Sequence, residues 1–192
     1  ETRGFVRSVT RELTAPLVLD ADGLVAFVDA LAELRARRAP TLLTPHPGEA
    51  ALLLGTTAAD VNRDRLGAAR RLARESGAIV ALKGAASVVA LPDGFVTVNP
   101  TGGPALAAGG TGDVLTGVIA GLLAQGLGAG EAAVLGVFLH GAAADRLAVL
   151  RGEAGLLASE VAGALPDAVR ALGREAGGAI GSGDLLAFPE PR

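Results

Sequence analysis

The chain of 192 residues contains no cysteine, methionine, tryptophan or tyrosine, and its aromatic residues are five phenylalanines. Without cysteine it can form neither a disulfide framework nor a thiolate metal site, which agrees with a reducing compartment and predicts a cytoplasmic location. Without methionine, Glu1 is not a translational start. We therefore expect the chain to be a trimmed or partial product with further sequence upstream.

An excess of charge of either sign is also missing. The net charge is −3 and the basic residues are scattered, so no patch for nucleic acid or an anionic membrane is predicted. The N-terminus has no basic segment followed by an apolar one, as a signal peptide would. Half of the residues are hydrophobic, which is enough for one domain with a real core.

A long uninterrupted hydrophobic run is absent as well. The most apolar region, Val114 to Leu150, is broken by Gly126, Gly128, Gly130 and Glu131. Each half falls short of the roughly 20 apolar residues that a membrane span needs. We interpret this region as buried helices of a soluble domain.

The chain does contain alternating strand and helix patterns. In the first part, Asp22 is predicted to cap a helix with Leu24, Phe27, Val28 and Leu31 on one face. A strand reaches Thr44, and the helix that follows has Pro47 at its first position, Glu49 in its first turn and Gly55 after its end. Asp60 is predicted to open an Arg-rich helix that ends near Gly77.

In the second part, the segments "AIVAL", "SVVAL" and "FVTVN" predict three strands, the last two joined by a Pro-Asp-Gly turn. Helices are predicted at about 112–125, 130–150 and 158–172. This order predicts an α/β fold with an open, largely parallel sheet covered by helices on both faces. Residues 1–172 form the predicted domain. Residues 173–192 are a Gly- and Pro-rich tail, expected to be flexible, whose "DLLAF" segment is a candidate contact with a neighbouring subunit.

Four polar clusters follow the predicted strands, where ligands gather in open α/β sheets. They are Asp20–Asp22, Thr44–Glu49, Lys83–Ser87 and Asn99–Asp113.

The stretch "GGTGDVLTG" at Gly109 begins a predicted helix. Unpaired amides and the positive end of the helix dipole suit an anion there, and glycines allow it to approach closely. The stretch is not a Walker A loop, because no Gly-Lys-Ser/Thr follows. Two structural alternatives stay open: the turn is only a tight connection, or Asp113 or Thr111 is the helix cap.

Three segments, "LTPHPGEAALLLG", "LKGAASVVALPDG" and "GGTGDVLTGVIAGLLAQG", resemble the ribokinase-like superfamily and, within it, the ADP/ATP-dependent NAD(P)H-hydrate dehydratases. The resemblance runs from about Leu17 to Leu172. His46 stands where related kinases usually have asparagine, which favours the dehydratase branch. Leu106 and Val25 depart from the family's usual methionine and asparagine, and the family's upstream strands and Gly-rich substrate loop do not precede Glu1.

The resemblance implies a lyase that repairs hydrated NADH or NADPH, with ADP or ATP phosphorylating the ring hydroxyl before phosphate leaves. It implies Mg²⁺, with Glu49 near the ion through water, and makes a monovalent cation a further candidate. It also implies a homo-oligomer and an epimerase domain, either upstream or separate. Asp113 is the implied catalytic base and a substrate contact, and His46 a second substrate contact. The implied nucleotide-binding residues are Lys83, Gly84, Ala85, Ala86, Ser87, Asn99, Gly109, Gly110, Thr111 and Gly112.

Other interpretations compete with these roles. His46 can simply bond the backbone at its helix start, and Lys83 can be a solvated lysine at a strand end. We interpret His140 as a packed core histidine and Asp145 as the polar edge of the same helix. For the whole chain, the alternatives are a thiazole- or pyridoxal-type kinase of the same fold and a nucleotide-binding module without turnover.

Overall fold

The computed structural model describes residues 1–176 of the chain. These residues form a five-stranded open sheet covered by helices. The strands lie in chain order across the sheet. They are β1 (Leu17–Leu19), β2 (Thr41–Leu43), β3 (Ile79–Leu82), β4 (Val88–Ala90) and β5 (Val96–Val98). β1, β2 and β3 run parallel, whereas β4 is antiparallel to both β3 and β5. As a result, β5 ends at the same edge as the three parallel strands.

Eight α-helices connect and cover the strands in the described part. They are α1 (Thr2–Glu12), α2 (Asp22–Val25), α3 (Pro47–Leu54), α4 (Ala58–Arg63), α5 (Arg65–Ser76), α6 (Thr111–Ala124), α7 (Ala129–Arg151) and α8 (Ala158–Ala176). Two 3₁₀ helices, Leu31–Ala36 and Pro104–Ala107, complete the connections.

Both faces of the sheet are buried. Leu43, Val80 and Leu82 belong to a core shared with α2, α3 and α5. Their neighbours along the strands, Leu42 and Ala81, belong to a second core shared with α6 and α7. Successive strand residues point to opposite faces, so strands covered on both sides are apolar throughout. The predicted fold class, an open α/β sheet with helices on both faces, is confirmed.

The helix predicted from Asp22 is shorter than expected. α2 ends at Val25, and its N-cap is Ala21 without a side-chain hydrogen bond, so the prediction that Asp22 caps the helix is wrong. Asp29 has φ of +64°, a left-handed conformation that a continuous α-helix cannot contain. Leu24, Phe27 and Leu31 of the expected apolar face are nevertheless buried and Val28 is partly buried, because the chain continues through turns into the 3₁₀ helix that begins at Leu31.

The Arg-rich helix predicted to start at Asp60 is two helices. Thr57 caps α4 by accepting the Asp60 amide, and Asp64 caps α5 by accepting the Gly67 amide. Asp60 therefore lies in the first turn of α4. A second cap inside the predicted segment allows the chain to change direction there.

The ends of the chain differ from the prediction in two ways. α1 was not predicted, and α8 continues past the predicted end at Leu172 to Ala176. The "DLLAF" segment and the rest of 177–192 lie outside the described residues.

α7 is long and apolar enough to cross a membrane by length and composition alone. Half of its most apolar window is buried inside the fold, and the helix packs against α6, α8 and β3. It is therefore a core helix of this fold, in agreement with the sequence interpretation.

Candidate nucleotide and substrate site

The polar clusters meet at one edge of the sheet, as predicted. Asp20, Thr44 and Lys83 directly follow β1, β2 and β3. The Thr44 amide donates to the Leu19 carbonyl at 3.1 Å, and the Lys83 amide donates to the Pro45 carbonyl at 2.8 Å. These bonds extend the parallel pairing beyond the strands and bring the three side chains together.

Lys83 is the centre of a partly buried charge cluster. Its Nζ lies 2.8 Å from Asp20 Oδ1 and 3.9 Å from Glu49 Oε2. The second Asp20 oxygen accepts the Thr116 hydroxyl at 3.0 Å, which ties β1 to α6. Only 21% of the Lys83 side chain is exposed, so the interpretation of Lys83 as a solvated strand-end lysine is wrong.

The environment of Asp20 favours its charged form. Burial alone would raise the pKa of Asp20, but the hydrogen bond and charge of Lys83, with the Thr116 and Thr44 hydroxyls, hold that pKa below its usual range. Asp20 is thus ionised at neutral pH and keeps the Lys83 ammonium beneath the start of α6.

The start of α6 has no side-chain cap. Gly110 is the N-cap, with φ of +86°, a conformation that glycine adopts easily. The Thr111 hydroxyl donates to the Leu106 and Ala108 carbonyls at 2.8 and 2.9 Å instead of accepting an amide. Asp113 is exposed in the first turn and has no hydrogen bond or ion pair with residues 1–174. Both capping alternatives, Thr111 and Asp113, are therefore wrong.

A cavity of about 390 Å³ opens beside this helix start. Its walls are the 83–87 loop, the 99–107 segment and parts of α6 and α7. The predicted residues that line it are Lys83, Gly84, Ala85, Ala86, Ser87, Asn99, Thr111 and Gly112. Gly109, Gly110 and Asp113 are next to this lining in the chain but are not part of it. The cavity therefore joins the lysine loop to the helix start.

Two residues that the sequence analysis did not assign to the site hold its loops in place. The guanidinium of Arg65 donates to the carbonyls of Leu82 and Lys83 at 3.2 and 3.3 Å. Asp145 Oδ2 accepts the Gly102 amide at 2.8 Å, so Asp145 is a loop anchor and its interpretation as a mere polar edge is wrong. An acid on an apolar helix is a sequence signal that could have identified Asp145. Arg65 has no such signal, because it lies in a segment with several other arginines.

The Asn99 side chain forms its hydrogen bonds within its own loop. Its amide group donates to the Thr101 carbonyl at 2.8 Å, and the Asn99 backbone amide donates to the Ser87 carbonyl at 2.8 Å. Asn99 thus joins the two loops that line the cavity.

His46 and Glu49 form a reciprocal cap at the start of α3. His46 Nδ1 accepts the Gly48 and Glu49 amides at 3.0 and 3.2 Å, and the Glu49 carboxylate accepts the His46 amide at 2.7 Å. The helix-start interpretation of His46 is confirmed. The imidazole is also 56% exposed, so one side chain can cap the helix and still face a ligand.

A divalent ion has few protein ligands here. The side chains of residues 1–174 contain no cluster of three or more His, Cys, Asp or Glu that could hold a metal. Glu49 is the predicted acid, and one of its oxygens is occupied by the His46 amide. An ion at this site would take most of its ligands from phosphate and water, as Mg²⁺ commonly does.

His140 lies on α7 in the cavity wall and is buried, as predicted. Burial lowers the pKa of His140 to about 4, helped by the positive charge of Lys83 and opposed by a hydrogen bond with the Thr111 backbone. The imidazole is neutral at physiological pH.

The family of the chain follows from comparison with known proteins. The model of the NAD(P)H-hydrate dehydratase family matches residues 2–167. This chain belongs to that family. A bifunctional NAD(P)H-hydrate repair enzyme Nnr from Moorella thermoacetica is 48% identical over 174 residues, which are 91% of this chain and 33% of that protein. An ADP-dependent (S)-NAD(P)H-hydrate dehydratase from Neisseria meningitidis is 48% identical over 164 residues, which are 84% of this chain and 54% of that protein.

A solved structure of a dehydratase from this family is also similar to this chain. The ADP/ATP-dependent NAD(P)H-hydrate dehydratase from Bacillus subtilis, co-crystallised with ATP/Mg²⁺, superposes with a TM-score of 0.72 at 38% identity. The match covers 81% of this chain and 55% of that one. A hydroxyethylthiazole kinase from Pyrococcus horikoshii has a TM-score of 0.59 at 16% identity, which shows the shared fold alone. The chain thus spans 33%, 54% and 55% of the length of these three family members.

Proposed function

We propose that this chain forms the nucleotide-dependent part of an (S)-NAD(P)H-hydrate dehydratase, a lyase that restores NADH or NADPH from its hydrated form. The observation that carries the proposal is the 48% identity to the Neisseria meningitidis dehydratase over 84% of the chain. The cavity between the lysine loop and the uncapped helix α6 supports it independently.

The residues around the cavity fit a nucleotide. An uncapped helix start, a nearby ammonium and a loop that begins with Gly84, at φ of +140°, suit polyphosphate. We place the nucleotide over Lys83–Ser87, with its phosphates directed at the amides of Gly109–Gly112. The nucleotide would supply the phosphoryl group that turns the ring hydroxyl into a leaving group.

Asp113 is the proposed base. It is exposed, lies in the first turn of α6 and is not used as a cap, so its carboxylate is available to accept the proton of the ring hydroxyl. The adjacent amides of α6 would stabilise the charge that develops on the phosphoryl group. His46 is the proposed contact with the hydrated nicotinamide, and Glu49 would orient Mg²⁺ through water.

Several parts of this assignment stay predictions. They are the preference between ADP and ATP, the monovalent cation, the homo-oligomer, the cytoplasmic location and the epimerase. The relative from Moorella thermoacetica is bifunctional, which supports an epimerase domain in the same or a companion chain.

The test is turnover of chemically hydrated NADH by the purified protein with Mg²⁺ and either ADP or ATP. We expect nicotinamide absorbance to return only when nucleotide is present. Phosphorylation of thiazole or pyridoxal alcohols without this recovery would favour the kinase alternative. Nucleotide binding without any turnover would favour the binding module.

A further inference from the structure

Lys83 is the only lysine among the 17 lysine and arginine residues of the chain. A Cβ built on Gly112 would lie 3.3 Å from Lys83 Nζ and 3.7 Å from Asp20 Oδ2. The ammonium and its carboxylate partner therefore lie directly against the first turn of α6, which has no side-chain cap. The direction of this one side chain decides where its positive charge acts.

Lys83 needs a partner to fix that direction, because a lysine carries its charge at the end of a long, flexible stem. Asp20 Oδ1 is that partner, at 2.8 Å. The Glu49 carboxylate, at 3.9 Å, is too far for a hydrogen bond. Among the side chains of residues 1–174, Asp20 is thus the one group that hydrogen-bonds the ammonium. The position of the ammonium follows the orientation of this carboxylate.

Thr116 fixes the orientation of the Asp20 carboxylate. A threonine inside a helix can donate to the carbonyl one turn before it, which here is that of Gly112. The Thr116 hydroxyl instead donates to Asp20 Oδ2 at 3.0 Å, across 96 positions of the sequence. No other side-chain hydrogen bond within residues 1–174 joins α6 to a strand end. With Oδ2 held in this way, Oδ1 is presented to Lys83.

We propose that Thr116 is a positioning residue that holds the Lys83 ammonium, through Asp20, at the first turn of α6; this inference rests on the proposed function. Thr116 is not among the described residues that line the cavity, so it acts through the other two side chains and not by contact with a ligand. In this position the lysine and the helix amides act on the same phosphate group. The attraction between an ammonium and a phosphate falls with distance, so a displaced Lys83 would bind the nucleotide less tightly.

Two substitutions separate the hydroxyl from the rest of the Thr116 side chain. Thr116→Val keeps the branched shape and removes the donor, so ADP affinity should fall about 3- to 10-fold, the effect of one lost hydrogen bond. Thr116→Ser keeps the donor and should retain most of that affinity. Adenosine lacks phosphate, and it should bind the wild type and Thr116→Val equally. A greater loss in Thr116→Ser than in Thr116→Val, or an equal loss for adenosine and ADP, would overturn the inference in favour of a packing role.

The single lysine allows a direct reading of its position without any ligand. In protein labelled with ¹³C-lysine, the side-chain Cε signal belongs to Lys83 alone. In the ligand-free protein this signal should move in Thr116→Val and stay close to wild type in Thr116→Ser. Thr14→Val, the same exchange at an exposed threonine outside the site, is the matched control and should leave the signal in place. An unmoved signal in Thr116→Val would overturn the inference, whatever the result of the ADP titration.

A double-mutant cycle tests whether Thr116 and Lys83 act together. Lys83→Met removes the charge, so adding Thr116→Val to it should cause no further loss of ADP affinity. Additive losses would overturn the inference alone. No ADP binding by the wild type would overturn the proposed function, while the lysine signal would still decide whether Thr116 positions Lys83. That signal needs no Lys83 variant, so the test does not depend on the folding of Lys83→Met.

Discussion

Helices α3 and α6 begin with the same arrangement of residue types but differ in how their first turns are satisfied. Each has a glycine at its second position, Gly48 or Gly112, and an acid at its third, Glu49 or Asp113. In α3 the acid folds back onto the N-cap amide and the His46 ring accepts two amides. In α6 neither bond exists, because the N-cap is a glycine and the acid is exposed.

This difference distinguishes a structural helix start from a binding one. A reciprocal cap satisfies the orphan amides locally and stabilises the fold. An uncapped start keeps its amides and dipole available for an anion, at a cost in stability. The cavity lies against the uncapped start, at Thr111 and Gly112, and not against the capped one.

We expect the greatest loss of activity on substitution of Asp113, the acid in the first turn of α6. Asp113→Asn keeps the size of the side chain and removes the base, so turnover of hydrated NADH should fall about a hundredfold to ten-thousandfold. The melting temperature and ADP binding should stay close to wild type, because the Asp113 side chain makes no bond with residues 1–174. Turnover and melting curves measure both. Asp167→Asn, at an exposed acid of α8, is the matched control and should leave turnover unchanged.

Gly48 and Gly112 occupy the second position of the two helices and have different neighbours. A Cβ at Gly112 would lie 3.3 Å from Lys83 Nζ and intrude on the cavity, so Gly112→Ala should weaken ADP binding about tenfold, equivalent to ~1.4 kcal/mol. A Cβ at Gly48 would lie 2.9 Å from His46 Cε1, so Gly48→Ala should disturb the cap and lower stability without changing ADP affinity. Calorimetry and ADP titration test both variants. Equal effects on ADP affinity would erase the distinction between the two starts.

His46→Ala removes the cap of α3 and the proposed substrate contact together. Loss of a cap costs about 0.5–2 kcal/mol of stability. If His46 also contacts the hydrated nicotinamide, the KM for that substrate should rise more than the Kd for ADP. His46→Asn, which restores a capping side chain, should recover stability but not substrate affinity. Equal changes in both affinities would leave His46 with its structural role alone.

The smallest effect concerns the charge cluster under α6. The folded-state pKa of Asp20 is lowered, so the stability it contributes is present above the unfolded value of about 3.8 and is lost as the pH falls through the folded value. Asp20→Asn should therefore reduce stability at neutral pH and flatten its dependence on pH in the acid range. Thermal unfolding of both proteins across that range measures this. A variant that keeps the acid-range slope of the wild type would show that another carboxylate is responsible.

Local patterns in the sequence predicted most of the fold. Apolar periodicity with proline and glycine boundaries predicted the helices α3, α6 and α7 and the strands β2 to β5. The break after α2 was not predictable, since a left-handed Asp29 has no local signature. The second cap at Asp64 was missed for a related reason: a strong arginine pattern continues across it.

Contacts of the site between residues close in the sequence could be predicted, whereas contacts between distant residues could not. The capping box of His46 and Glu49 spans four residues and could be anticipated. The bonds from Asp20 to Lys83 and Thr116 join residues 63 and 96 positions apart, and nothing in the sequence pairs them. The anchoring roles of Arg65 and Asp145 likewise depend on tertiary packing.

The most direct test of the contrast between the two helix starts is a titration of the isotopically labelled protein with ADP, followed through backbone amide resonances. We expect the amide resonances of Gly109, Gly110, Thr111 and Gly112 to shift, while those of Gly48 and Glu49 stay in place. Shifts at Gly48 and Glu49 with unmoved amides at Gly109–Gly112 would contradict this expectation, because the phosphates would then bind at the capped helix.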